Sequence, residues 1–140
     1  MTILAVDLGD RRTGLAISDP GGTFALGLPP FEASSTEEVL EHVALLVAER
    51  SVSEVVVGLP KNMDDSIGPR ARLTLEFVED LKRRVSVPVT PWDERLTSVE
   101  AEGRLAPLKL GRRKKRRQVN TVAAQLILES YLSARRKREA

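Results

Sequence analysis

Carboxylate and amide side chains stand where apolar segments of the sequence end or begin. Asp7 closes the apolar run "ILAVD", Asp93 and Glu94 follow "VPVTPW", and Asn120 precedes "TVAAQLIL". A carboxylate beside a buried strand is costly unless a cation or hydrogen bonds compensate its charge. Oxygen ligands of these kinds suit Mg²⁺ or Mn²⁺, and such ions activate water for attack on phosphorus. These residues therefore predict a metal site for phosphate chemistry.

Each of these side chains also has an ordinary structural role open to it. Asp7 could cap the turn "GDRR", Asp93 or Glu94 could pair with Arg95 in solvent, and Asn120 could be the N-cap of a helix. Because side chains alternate along a strand, only one of Asp93 and Glu94 can face the same side of a sheet as Asp7. The residues alone leave open which of the two it is.

The surrounding segments predict the strands that would position these residues. Strands are predicted at Ile3–Leu8 and Gly14–Ser18, and a third in "TFALGLPPF" is expected to stop at Pro29 and Pro30. The short turn between the first two strands implies that they are antiparallel neighbours. The segment "VSEVVVGLP" predicts a strand buried on both faces, and "VSVPVTPWDERLT" predicts a further strand that ends in polar residues.

Helices are predicted between and after these strands. Ser35 and Glu38 form a capping-box pattern that opens the first helix, and Pro69 suits the first turn of the second. A short helix is predicted to begin near Thr97, and a long one ends the chain. A meander of three strands followed by alternating helices and strands predicts a single α/β domain over residues 1–140. The second and last helices are expected to bury the stripes Leu73, Phe77, Val78 and Leu81, and Val119, Val122, Ala123, Leu126, Ile127 and Tyr131.

The composition narrows both the chemistry and the partner. The chain has 140 residues, no cysteine and one histidine, His42, which excludes disulfides, thiolate sites and His-rich zinc sites and disfavours Ser–His catalysis. No segment has the length and apolarity of a membrane span and no signal pattern opens the sequence, so a cytoplasmic protein is expected. Residues 1–102 carry ten basic against eighteen acidic residues, whereas residues 103–140 carry twelve against two. This asymmetry indicates a polyanionic partner bound by the basic part.

Two groups of basic residues are candidates for binding that partner. Arg11 and Arg12 lie in the turn after the first strand. A run of six basic residues lies in a segment, near 107–117, that is expected to be a mobile loop or a frayed helix. Such a run can grip a phosphate backbone, although blocks of like charge are often only solvated. The run consists of Arg112, Arg113, Lys114, Lys115, Arg116 and Arg117.

Four segments together resemble a known family. They are "AVDLGDRRTGLAISD", "VVVGLPKNMDDSIGPRA", "DERLTSVEAEGRL" and "KKRRQVNTVAAQLILESYL", in the order and spacing typical of the YqgF (RuvX) family. The resemblance implies an RNase H-like α/β fold, a five-stranded mixed sheet with an antiparallel second strand and helices on both faces. It also implies a metal-dependent site formed by Asp7, Glu94 and position 120. The family pattern has an aspartate at that position, and this chain carries Asn120, a ligand without charge.

The function implied by the resemblance is phosphodiester hydrolysis by a nuclease that needs Mg²⁺ or Mn²⁺. RNA is the expected substrate, in 5′-end processing of pre-16S rRNA, and resolvase-like cleavage of branched DNA is the alternative. A further alternative is a nucleic-acid-binding module whose catalysis Asn120 has weakened. The segment "DLGDRRTGLA" also resembles the phosphate-binding hairpin of actin-like ATPases, but 140 residues leave no room for their second lobe. A monomer or weak homodimer without a membrane partner is expected.

Overall fold

The computed structural model describes residues 1–62, 64–94 and 112–139, with the backbone alone over 112–119 and at residue 139. Within these ranges the chain forms five strands and three helices. The short helix predicted near Thr97 lies outside the described residues. The strands are β1 (Ile3–Asp7), β2 (Arg12–Ser18), β3 (Ala25–Glu32), β4 (Glu54–Leu59) and β5 (Val89–Asp93), and the helices are α1 (Thr36–Glu49), α2 (Pro69–Lys82) and α3 (Arg112–Glu139).

The strands form one mixed sheet in the order β3-β2-β1-β4-β5. β2 is antiparallel to β1 and β3, whereas β4 is parallel to β1 and β5. Parallel neighbours need crossover connections, and α1 and α2 supply them before β4 and β5. The predicted five-stranded sheet with an antiparallel second strand is confirmed.

Helices cover both faces of the sheet, as predicted. On one face, called the α1/α2 face, Val6 of β1 packs in a cluster with Val43 of α1 and Phe77 of α2. On the other, the α3 face, Ala5 packs in a cluster with Ile127 of α3. Because side chains alternate along a strand, β1 and β4 must be apolar on both sides to fill these two clusters. This alternation also decides which face receives each polar residue at the strand ends.

The start of α1 follows the predicted capping pattern with one change. The Ser35 hydroxyl accepts a hydrogen bond from the backbone N–H of Glu38, at 3.3 Å. The Glu38 carboxylate reaches back to Ser34 instead of Ser35 and accepts a bond of 2.7 Å from its hydroxyl. The first N–H groups of the helix are therefore satisfied by side chains, which anchors α1 close to the end of β3.

β3 corrects the prediction that Pro29 and Pro30 end the third strand. The strand continues through both prolines to Glu32. β3 lies at the edge of the sheet and pairs with β2 alone, so a missing N–H on its outer side costs no ladder bond. The pairing register shifts between Thr13 and Leu15 of β2, opposite the prolines, which absorbs the irregularity.

α2 begins at Pro69 as predicted, but its buried stripe differs from the predicted one. Leu73 is 59% exposed, and Thr74 is buried in its place. The Thr74 hydroxyl donates to the Arg70 carbonyl at 2.9 Å, so its burial leaves no unsatisfied donor. Leu73 was predicted to be buried because it is apolar. The rotation of α2 about its axis, relative to the sheet, determines which of its residues are buried, and it places Thr74 there instead. The buried residues are Ala71, Thr74, Phe77, Val78 and Leu81.

α3 begins at Arg112, so the helical form of the expected "loop or frayed helix" is the one observed. Residues 107–111 lie outside the described ranges, and the mobility expected there stays a prediction. The predicted stripe is confirmed at Ala123, Leu126, Ile127 and Tyr131, which are buried, while Val122 is half-buried and Val119 lies where only the backbone is described. Among the described helices, none combines the length and the apolar character that crossing a bilayer requires.

Candidate active site

Asp7 lies at the carboxyl end of β1 and has a glycine beside it on each neighbouring strand. On β2 its register partner is Gly14. On β4 the register pairs Val6 with Val57, which brings Gly58 alongside Asp7. Asp7 has the same position in the alternation as Ala5, so its side chain faces the α3 side of the sheet. The two missing side chains leave a hollow around the Asp7 carboxyl group.

Glu94 occupies the hollow at Gly58. Its backbone N–H donates to the Leu59 carbonyl at 3.1 Å, which extends the pairing of β5 with β4 by one residue. A Cβ atom on Gly58 would overlap the Oε2 atom of Glu94 and would lie 2.5 Å from Cδ1 of Ile127. Glycine at this position is therefore a packing requirement, because any side chain would displace the Glu94 carboxyl group.

Asn120 occupies the hollow at Gly14. A Cβ atom on Gly14 would overlap the backbone carbonyl oxygen of Asn120, so α3 passes directly over this glycine. Since Gly14 is the register partner of Asp7, the backbone of Asn120 lies one strand away from the carboxyl pair. Asn120 is inside α3, well after the first helical residue Arg112, and the N-cap role considered for it is excluded.

The carboxyl groups of Asp7 and Glu94 are hydrogen-bonded to each other. Burial raises the pKa of both groups, because removal from water penalises the charged form. The negative charge of Asp7 raises the pKa of Glu94 further, while the guanidinium of Arg70 lowers the pKa of each. Two carboxyl groups so placed retain a shared proton near neutral pH unless a cation replaces it.

Between the two acidic residues at the end of β5, the geometry brings Glu94 and not Asp93 to Asp7. Trp92 belongs to the cluster on the α3 face, so Glu94, two residues later, faces the same way. Val89 belongs to the α1/α2 cluster, and Asp93 shares its orientation. The signal was already in the sequence, since Trp92 fits the buried side of the strand better than a neighbouring proline or aspartate does.

The donor set at this edge fits a divalent cation. The carboxyl groups of Asp7 and Glu94 lie close together with raised pKa values, and a bound cation would lower both pKa values. Oxygen donors of this kind are the ligands that hard divalent ions take. Within the described residues, no third His, Cys, Asp or Glu joins them to make a cluster of three. Among the described residues, a further ligand would therefore be neutral, as the amide oxygen of Asn120 is.

Arg70 is a residue that the sequence analysis missed. It lies in the first turn of α2, and its Nη2 atom donates to the Leu8 carbonyl, the residue after Asp7, at 3.4 Å. The signal that could have found it is position: the helix after β4 begins at the carboxyl edge of the sheet, where sites of such folds form.

The residues predicted to bind nucleic acid are placed differently from one another. Arg11 is exposed in the turn between β1 and β2. Arg12 is the first residue of β2, and its Nε atom forms an ion pair with Glu32 of β3 at 3.2 Å. This pairing partly neutralises the charge that Arg12 could offer to a nucleic acid. The run Arg112–Arg117 forms the first turns of α3, ahead of Asn120, where the backbone alone is described.

Comparison with known proteins decides the family. The sequence model of the family described as "RuvX: Holliday junction resolvase" matches residues 1–134. The chain belongs to the RuvX family. A relative of this RuvX chain from Halothermothrix orenii, named "Putative pre-16S rRNA nuclease", is 43% identical over 98% of each chain. Another of the same name, from Desulforudis audaxviator, is 42% identical over 97% of this chain and 96% of its own.

Solved structures share the fold of this chain. Thermus thermophilus RuvC in complex with a Holliday junction substrate superimposes with a TM-score of 0.61 at 15% identity, over 98% of the RuvX chain and 96% of RuvC. Fowlpox virus resolvase in complex with Holliday junction DNA gives 0.56 at 14% identity, over 96% and 98%. The predicted RNase H-like fold is thereby confirmed. The RuvX chain is a nuclease, a phosphodiester hydrolase that binds nucleic acid, and dependence on a divalent metal is general for this fold.

Proposed function

We propose that this RuvX chain cleaves RNA in the maturation of the 5′ end of pre-16S rRNA, at a site formed by Asp7, Glu94 and Asn120. The observation that carries the proposal is that the half-buried carboxyl groups of Asp7 and Glu94 meet in a hollow between two glycines. Removing two carboxyl groups from water costs free energy, and a pair with only a structural role would not recover that cost. The names of the relatives support rRNA as the substrate.

The proposed cofactor is Mg²⁺ or Mn²⁺, held by carboxylate oxygens of Asp7 and Glu94 and by the amide oxygen of Asn120. When bound, such an ion supplies a Lewis acid for the phosphate and lowers the pKa of a water. For the ion to bind, Asp7 and Glu94 must release their shared proton. The packing of Glu94 over Gly58 and of α3 over Gly14 places the Glu94 carboxyl group and the backbone of Asn120 on either side of Asp7.

Branched DNA is the second candidate substrate. The description of the family as Holliday junction resolvase supports it. Symmetric cleavage of a four-way junction needs two active sites, so this candidate calls for a dimer, whereas processing of an RNA end can be carried out by a monomer. Processing of rRNA also goes with a location in the cytoplasm, where ribosomes are assembled.

A cleavage panel tests the proposal. The substrates are a structured RNA that carries the 5′ flank of 16S rRNA, an unstructured RNA and a four-way DNA junction, each with Mg²⁺, with Mn²⁺ or with chelator. We expect cleavage of the structured RNA that requires the metal. Efficient cleavage of the junction alone would replace RNA by branched DNA, and binding without cleavage of any substrate would leave a nucleic-acid-binding module.

Matched variants test the residues of the site. Asp7→Asn and Glu94→Gln should each reduce metal-dependent cleavage by at least about a hundredfold while the protein stays folded, because each removes a charged ligand. Asp93→Asn is the control, since it changes the neighbouring carboxylate on the opposite face of β5. Equal losses for Glu94→Gln and Asp93→Asn would show that the orientation of Glu94 does not determine activity.

A further inference from the structure

A cavity of about 350 Å³ opens on the α1/α2 side of the sheet, next to the end of β1 that carries Asp7. Its walls come from the turn between β1 and β2, the start of α1 and the first turns of α2. Leu8 and Gly9 line it, and Leu8 directly follows Asp7, so the cavity begins one residue from the candidate metal ligands.

Two guanidinium groups, those of Arg70 and Arg11, line the cavity. Arg70 is close enough to Asp7 and Glu94 for its charge to act on both. Yet among the described residues no carboxylate oxygen lies within 4 Å of Arg70, which would define an ion pair. Its one hydrogen bond to the Leu8 carbonyl is long, at 3.4 Å. Most of the five N–H groups of this side chain are therefore available to a ligand.

The acidic residues that line the same cavity belong largely to its other end. Glu76 and Asp80 are six and ten residues beyond Arg70 on α2, which is about 9 and 15 Å further along the helix axis. Asp80 is also paired with Arg83 at 2.7 Å. Asp10 lies beside Arg11 in the turn. At the end of the cavity nearest to Asp7, the two arginines Arg70 and Arg11 thus stand against one lining carboxylate, that of Asp10.

We infer that Arg70, assisted by Arg11, binds a backbone phosphate of the substrate strand next to the phosphate that is cleaved. The planar guanidinium group matches a phosphodiester through two parallel hydrogen bonds. Contact with the backbone would position the strand over the carboxyl pair and would carry no base specificity. This inference rests on the proposed nuclease site and deepens it by naming a second phosphate position.

Binding measurements test the inference with a matched control on the same helix. Arg70→Gln is compared with Arg72→Gln, which removes the same charge from an exposed position that does not line the cavity. Both are made in the Glu94→Gln background, so that a labelled RNA hairpin or a DNA junction stays intact. Arg70→Gln should weaken binding about tenfold and lower the slope of log affinity against log salt by about one. Equal affinities for the Arg70→Gln and Arg72→Gln proteins would overturn the inference.

A substrate with one neutral methylphosphonate linkage, moved step by step past the cleavage point, locates the contact. The chain with Arg70 should lose affinity at one linkage, and Arg70→Gln should lose nothing further there. Arg70→Lys should keep the salt slope and recover only part of the affinity, because it keeps the charge without the planar fork. Loss at no linkage, or an equal loss in both proteins at every linkage, would exclude the phosphate contact.

Metal titrations separate this role from a purely electrostatic one. If Arg70 served only to balance Asp7 and Glu94, Arg70→Gln would change the metal concentration needed for half activity and leave KM for the nucleic acid unchanged. We expect KM for the nucleic acid to rise as well, in addition to the change in metal requirement that follows from losing the Arg70 charge near Asp7 and Glu94. Failure of the nuclease proposal would show as no cleavage by the native chain, and the difference in binding between Arg70→Gln and Arg72→Gln would still report on the phosphate position.

Discussion

The proton shared by Asp7 and Glu94 links the stability of the protein to pH. Burial raises the pKa of Glu94 to about 9, far above its ordinary value of 4.5, and raises the pKa of Asp7 as well. The unfolded chain releases these protons near pH 4, whereas the folded chain retains at least one of them up to about pH 9. The stability that the protonated pair provides is therefore complete in acid and is lost as the pH rises through this window.

We expect the free energy of unfolding, measured with urea in chelator, to fall by several kcal/mol from pH 5 to pH 9, because over this range the folded chain retains a proton that the unfolded chain has released. Glu94→Gln should flatten this decline, because glutamine does not titrate. Burial lowers the pKa of His42, which acts in the opposite direction below about pH 6.5, but His42 is the same in both proteins and cancels in the comparison. Added Mg²⁺ should also oppose the decline. Parallel curves for the two proteins would contradict the assignment.

The neutral side chain at position 120 allows a test of whether this residue is a metal ligand. Asn120→Asp should tighten metal binding and raise activity most at low metal concentration, with the larger gain in Mg²⁺. Because Asn120 lies inside α3 and not at its cap, a gain in helix capping cannot produce this effect. Gln125→Glu is the control, since it adds the same charge to the same helix over β3, where Gln125 donates to the Ala25 carbonyl. Superimposable metal titrations of native and Asn120→Asp protein would remove Asn120 from the site.

Gly58 lies where β4 contacts both the Glu94 side chain and α3, so a larger residue at this position should affect stability and activity. Gly58→Ala would force apart β4, the Glu94 carboxyl group and Ile127 of α3. We expect a loss of about 1–3 kcal/mol in the free energy of unfolding, as is usual for overpacking, together with loss of metal-dependent activity. Adding Ile127→Val relieves the contact with α3 but not the contact with Glu94. The double variant should therefore regain stability and not activity, and Ile127→Val alone is the control for both measurements. Recovery of both would mean that Gly58 serves only the packing of α3.

Charge is distributed over the whole molecule so that α3 carries a basic group at each end. The run Arg112–Arg117 begins about two turns before Asn120 and ends less than one turn before it, whereas Arg136, Lys137 and Arg138 belong to the last turn. The body of the chain up to residue 102 is acidic. Nucleic acid should therefore be attracted to the α3 end of the molecule and away from the rest.

Neutralising all six residues of Arg112–Arg117 should lower the slope of log affinity against log salt by a few units and leave the metal requirement unchanged. Neutralising Arg136, Lys137 and Arg138 is the control, because these residues lie about 24 Å or more from Asn120 along the helix. Salt titrations of RNA binding by the two variants decide the matter. An unchanged slope for the first variant and a lowered slope for the second would show that the phosphate backbone binds at the C-terminal end of α3 instead.

Local patterns were enough to predict the family of this chain and most of its described elements. The Ser35 cap, Pro69 at the first turn of α2 and the apolar run of β1 depend on neighbouring residues only, and all three are found in the structure. The four linked motifs led to the RuvX family, and through it to Asp7 and Glu94, because motifs record residue types at set spacings. Charge asymmetry likewise follows from composition and indicates a polyanionic partner without any folding.

Contacts between distant segments decided the rest, because they depend on register, helix phase and edge position, which no local window contains. The pairing of β1 with β4 sets Gly58 beside Asp7, and the orientation of β5 then brings Glu94, not Asp93, to it. The edge position of β3 allowed Pro29 inside a strand. The phase of α2 exposed Leu73 and carried Arg70, sixty-two residues from Leu8 in sequence, to the mouth of the site.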